Sequence, residues 1–236
     1  MRRDSSETKR KILTVCVRLF LEQGYKNTSV SQIVDEAGVA RGSYLNLFPT
    51  KDRVLLELTE TMFGGQFGVA RSIADSKLPP VYAYAVETAI QLTLTELNEN
   101  LREIYIEAYT QKEASEYIFR ETARELYGIF GPYQPQLTAE DFYMLELGSA
   151  GLMRGYMAQP CGGALTLEKK LECFLTLSLR GYGVPEQEIQ QALAFLRTMD
   201  LRAVGQRTIE RLFHALEMRY DFQLGAASCG EREENT

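Results

Sequence analysis

Apolar residues recur with helical spacing along nearly the whole chain. Ile12, Cys16, Leu19 and Phe20 fall at i, i+4, i+7 and i+8, which predicts a first helix starting near Ser5 or Ser6 and stopped by Gly24. Thr28 or Ser29 caps a second helix, and Gln32 stands at capping-box distance from Ser29. Val30, Ile33, Val34 and Ala37 form its buried face, and Gly38 ends it. A third, short helix covers about 40–47. Thr50 caps a fourth, running from Lys51 towards Ala74 and loosened around Gly64-Gly65.

Beyond Pro79-Pro80 the periodic segments are longer, at about 81–98, 100–128, 138–159, 165–182, 185–199 and 203–222. Pro132, Pro135, Pro160 and Pro185 punctuate them, and no strand-like alternation or internal repeat interrupts the pattern. The predicted class is all-α. A three-helix domain at 1–55 joins a larger helical domain at 56–224. The tail 225–236 is small, polar and charged, and is expected to be disordered.

Composition narrows the class. The 236 residues, 45% hydrophobic and 25% charged, are ordinary for a globular protein with a sizeable core. No apolar run approaches the length of a membrane span, and the basic start MRRDSSETKRK leads into no apolar signal core. A cytoplasmic protein without a membrane partner is expected. Cys16, Cys161, Cys173 and Cys229 share no metal-ligand spacing and are read as reduced and structural, so neither metal nor cofactor is expected. The net charge of −6 is uneven: residues 1–55 hold ten Lys/Arg against six Asp/Glu, and the rest holds 16 against 26. A basic head on an acidic body suits a polyanion partner for the head, although a solvated basic face accounts for the same count.

A helix, a glycine turn and a second short helix form the helix-turn-helix arrangement. Gly38 supplies the reversal. Val39, Tyr44 and Leu47 can pack inward, which leaves Ala40, Arg41, Ser43 and Asn46 pointing outward. A short helix with small and basic residues at its start suits entry into a DNA major groove. A plain three-helix bundle is the other reading of the same pattern.

The ordered residues over the first 58 positions decide between the two. Leu19-Phe20, Gly24-Tyr25, Thr28-Ser29-Val30, Ile33, Ala37-Gly38-Val39, Gly42-Ser43, Phe48, Lys51-Asp52 and Leu55 resemble the N-terminal pattern of the tetracycline-repressor (TetR) family of bacterial transcription regulators. The resemblance covers about a quarter of the chain. It implies a homodimer that binds a palindromic operator in double-stranded DNA, most often as a repressor under the control of a small molecule. One departure stands out: Leu45 replaces a tyrosine that in the family usually donates to a DNA phosphate. Tyr44 is one position early, about 100° around the helix, either a core residue or a replacement contact.

Chemistry and resemblance together assign the other contacts. Thr28 and Ser29 offer hydroxyls at a helix N-terminus, a seat for phosphate or simply a cap. Arg41 is the base reader, since a guanidinium bonds bidentately to guanine. Gly42, Ser43 and Asn46 share its helix, and Lys51 is expected to face phosphate.

The larger domain shows no catalytic constellation. His214 is the single histidine, no G-x-S-x-G occurs, and GYGVPE at 181–186 lacks the last glycine of a dinucleotide fingerprint; no enzyme is expected. Tyrosines are concentrated there, and a tyrosine-rich helical interior fits either core packing or a cavity with polar handles. Tyr105, Tyr109, Tyr127, Tyr143 and Glu107 are the candidate contacts for an apolar or aromatic effector, with Glu87, Glu103 and Glu107 available to a cation. Gly148, Gly151 and Gly155 form one small-residue stripe, and Leu171, Phe174 and Leu175 lie on a stripe of the next helix. In the family, helices at these places usually pair with their copies as a four-helix dimer interface. Packing within one chain is the alternative.

Overall fold

A computed structural model of the chain describes residues 2–64, 66–74 and 78–224. The described residues form twelve α-helices: α1 (Arg2–Gln23), α2 (Val30–Ala37), α3 (Arg41–Leu47), α4 (Lys51–Phe63), α5 (Gln66–Ala74), α6 (Pro80–Leu97), α7 (Glu99–Ala108), α8 (Lys112–Phe130), α9 (Ala139–Ala158), α10 (Leu167–Gly181), α11 (Glu186–Arg197) and α12 (Leu201–Tyr220). Among them no strand occurs, and none of these helices is long and apolar enough to cross a membrane.

The head packs as its periodicity demands. Ile12, Cys16, Val17 and Phe20 of α1 are fully buried, and Ile33 of α2 and Tyr44 of α3 close over them. Two glycines are required by the backbone. Gly24 has φ +90°, a conformation that a side chain would strain, and the Glu103 carboxylate of α7 lies directly above it. Gly38 has φ +61° and donates its N–H to Asp35 O and Val34 O, ending α2. Ser29 starts α2 by accepting the Gln32 N–H at 3.1 Å.

In the body, α6 is the mast. Its residues 83–95 are all buried, the polar Glu87, Thr88, Gln91, Thr93 and Thr95 among them, and α5, α7, α10, α11 and α12 pack around it. A fully buried Lys170 pins the turn after α9: its ammonium donates to the Glu96 carboxylate and to Gln159 O. The other Glu96 oxygen accepts the Cys161 N–H at 2.9 Å.

Three boundaries depart from the periodic reading. The first helix already includes Arg2. The segment 100–128 is two helices, because Tyr109 turns inward at the end of α7 and Gln111 adopts extended backbone before α8. Neither glycine nor proline marks that break, and Tyr109 at its edge is buried. The expected loosening of the fourth helix is a stop: α4 ends at Phe63, and Gly64 leaves helical geometry while donating to Glu60 O. The disordered-tail expectation and Gly65 lie outside the described residues.

Candidate nucleic-acid interface

The rotation of α3 is set by what it buries. Tyr44 is 0% exposed and packs beside Phe48 with ring centroids 6.1 Å apart. With those rings inside, Arg41, Gly42, Ser43, Leu45 and Asn46 are turned to solvent, and Ala40, the N-cap residue, is exposed beside them. Nothing lies within 4 Å of where a Cβ of Gly42 would be, so that face is open. Among the described residues no ion pair involves Arg41, whereas Arg18 is bound to Glu22 and Glu36, Lys26 to Glu107 and Arg53 to Glu113. The exposed face therefore carries a free guanidinium, a hydroxyl, an amide and a leucine.

Three expected contacts are turned inward instead. Tyr44 belongs to the core: its hydroxyl is buried, burial pushes it well above the usual phenol range, and it does not stand in for the tyrosine that Leu45 replaces. Thr28 is 1% exposed, with its hydroxyl donating to Gly24 O at 2.8 Å and accepting from the Gln23 amide at 3.2 Å. Its neighbour Ser29 stays exposed. Lys51 is taken up by the turn between α1 and α2. Its ammonium donates to Tyr25 O at 2.6 Å and Thr28 O at 2.9 Å and sits 3.9 Å from the Tyr25 ring centroid. Burial draws its pKa down. The Tyr25 hydroxyl in turn donates to Asp52. Lys51 and Asp52 thus lock the start of α4 onto the turn between α1 and α2. The Gly-Tyr and Lys-Asp pairs were the only sequence signal for this clamp, and they carry no indication that they meet.

The candidate effector residues separate into two sets. Tyr105 and Tyr109 are buried side by side against Phe63 of α4, at 5.3 and 5.9 Å between centroids, and Tyr109 donates to Gln91 Oε1 at 3.2 Å. Gln91 donates onward to Glu87, whose carboxyl is pushed up to about 7 by burial. Glu146 on α9 is likewise buried and raised to about 8, and the Ser149 hydroxyl links it to Tyr182. Tyr127, Tyr143 and Glu107 do not join this interior. Tyr127 is 45% exposed, Tyr143 donates to Glu116 on the surface at 2.8 Å, and Glu107 pairs with Lys26 of the head at 3.2 Å. Phe63 and Gly64 also line a cleft of about 160 Å³ between α4–α5 and α8, so the ring that lines this cleft is the one that touches Tyr105 and Tyr109.

The candidate interface residues divide in the same way. Gly148, Gly151 and Gly155 form an exposed stripe of α9 together with Met144 and Leu147, and the space above all three glycines is empty. Leu171, Phe174 and Leu175 face the protomer's own core, at 4%, 2% and 0% exposure, where Phe174 stacks on Tyr84. The side of α10 that reaches solvent is Cys173, Leu177 and Arg180. The sequence contains both stripes; only packing tells which is inside.

A two-helix unit with an inward-locked turn and a polar outer helix is a helix-turn-helix domain, here mounted on a larger all-helical body. Residues 12–58 match the family described as bacterial regulatory proteins, tetR family. It is similar to the "Uncharacterized HTH-type transcriptional regulator YuxN" of Bacillus subtilis (strain 168), with 29% identity over 41% of this chain and 31% of that protein. It is also similar to the "Uncharacterized HTH-type transcriptional regulator YerO" of the same organism, with 27% identity over 30% of this chain and 24% of the relative. The matches span less than a third of either relative.

Proposed function

We propose that the protein is a ligand-responsive transcriptional repressor that binds a palindromic DNA operator as a homodimer and releases it when a small effector binds. The observation that carries this reading is the outer face of α3, where Arg41, Gly42, Ser43 and Asn46 are exposed on a tetR-family helix-turn-helix. Ser29 and Ala40 border that face, at the starts of α2 and α3. Operator symmetry needs two heads, and the apolar α9 stripe of Met144, Leu147, Gly148 and Gly151 with Leu177 of α10 is the surface offered to a second copy. The buried carboxyls of Glu87 and Glu146 among tyrosines favour an aromatic or apolar effector that brings a positive charge.

The test is selection from randomised duplexes, followed by titration of the selected DNA. Affinity should fall steeply as salt rises, because phosphate neutralisation releases counterions. Arg41→Ala should cost roughly 1–3 kcal/mol and relax preference at one base pair per half-site. An unchanged preference would remove α3 from the base-reading role. A second reading, a DNA-binding dimer with no effector, is supported by the way Phe63 and Gln91 close over Tyr105 and Tyr109. Screening cationic aromatic compounds for loss of operator affinity separates the two.

A further inference from the structure

We infer that Leu45 reads the C5 methyl group of a thymine in each half-site of the operator, an inference that rests on the DNA-binding role proposed above. Leu45 is 44% exposed on a helix whose inner side is filled by Tyr44 and Phe48. It cannot turn inward without expelling the Tyr44 ring. Arg41 and Leu45 are four residues apart, so they stand one above the other on the same flank of α3. Gly42 and Asn46 occupy the middle of the exposed face, and Ser43 the far side. With no side chain on Gly42 and nothing above it, the middle of α3 can approach the floor of the groove closely.

That approach fixes what Leu45 meets. A leucine has no donor or acceptor for a phosphate or a base edge, so a phosphate opposite it would be desolvated without return. The major groove presents one apolar group that differs between bases, the thymine methyl, which projects from the pyrimidine towards the groove wall. A side chain on the flank of the reading helix is placed to reach it, one turn beyond the base addressed by Arg41. Leu45 therefore exchanges a sequence-blind phosphate bond, the usual role of the tyrosine in the family, for a contact that depends on sequence.

The experiment uses the full-length protein and its selected operator. Each thymine of a half-site is replaced in turn by deoxyuridine, which deletes the methyl and leaves base pairing and every hydrogen-bonding edge intact. Burial of one methyl-sized group predicts roughly a four-fold loss of affinity at a single thymine, and about the square of that when both half-sites are changed. In Leu45→Ala, which alters an exposed position, the same replacement should have no effect, while sensitivity to the base read by Arg41 persists. Deoxyuridine tolerated at every position by the wild type, or equal sensitivity in Leu45→Ala, would overturn the inference and leave DNA binding standing. Selection that retrieved no duplex would overturn the DNA-binding reading itself, and this one with it.

Discussion

The phenolic oxygen of Tyr220, at the end of α12, lies 3.0 Å from the hydroxyl of Thr61 on α4. The Tyr220 carbonyl accepts the Thr14 hydroxyl of α1, and Asp221 pairs with Arg10 at 2.9 Å. The last helix thus ties the first helix of the head to the helix that leads into the body. Tyr220→Phe keeps the ring and loses a part-buried hydrogen bond, for an expected cost of about 1 kcal/mol. Tyr220→Ala also leaves the space of a ring that is 5% exposed, and should cost roughly 3–5 kcal/mol. Urea denaturation measures both, and equal midpoints for all three proteins would show that α12 does not hold the head.

Lys51 is expected to act on stability before it acts on DNA. Its ammonium satisfies two carbonyl oxygens at the turn between α1 and α2, and bonds to charged groups contribute about 1.5–3 kcal/mol each. Lys51→Met should lower the thermal midpoint clearly. Below that midpoint it should leave the slope of DNA affinity against salt unchanged, since a contact to phosphate would lower that slope by about one.

The buried acids predict the pH dependence. Glu87 and Glu146 have folded pKa values of about 7 and about 8, raised chiefly by burial, against an unfolded value near 4.5. The folded state therefore binds more protons than the unfolded state between these limits, and stability falls as pH rises. The contribution is complete below about pH 4.5 and is lost as pH passes through 7 and 8. Thermal melts from pH 5 to 9 should show a falling midpoint from these groups, and Glu146→Gln should flatten the upper part of the curve. An unchanged slope in that variant would show that Glu146 is already ionised in the folded protein.

Two substitutions distinguish the surface of α9 from the interior stripe of α10. Gly151→Leu enters open space, so it should leave helicity intact while disturbing the contact with a second copy. Phe174→Glu places a carboxylate at a site that is 2% exposed and should unfold the body instead. Sedimentation with circular dichroism reads the pair. A Gly151→Leu protein that sediments just as the wild type does would move the proposed interface away from α9.

Much was legible from spacing alone. The all-helical class, the starts of α6, α9 and α10 and the glycine turns at Gly24 and Gly38 follow from local rules: periodic apolar positions, caps, and backbone conformations only glycine takes easily; the helix-turn-helix needed the family resemblance as well, because a plain three-helix bundle has the same spacing. The outward set Arg41, Ser43 and Asn46 was legible too, because Gly38 and the inward Tyr44 fix the rotation of α3. Periodicity tells how many faces a helix has and which residues share one. It does not tell which neighbour a face meets.

That second question belongs to tertiary structure, and it decided the remaining residues. Leu171, Phe174 and Leu175 make as good a surface stripe as a core stripe until Tyr84 and Tyr156 are placed against them. Thr28 and Lys51 have the chemistry to bind phosphate, but the long-range closure of α4 onto the first turn brings carbonyl oxygens within their reach first. Tyr127 and Tyr143 are indistinguishable in composition from Tyr105 and Tyr109; burial separates them because Phe63, distant in sequence, covers only the second pair. The break between α7 and α8 has no glycine or proline to announce it. Local sequence determined the helices and the shape of the head, and non-local packing determined which polar groups remain free to act.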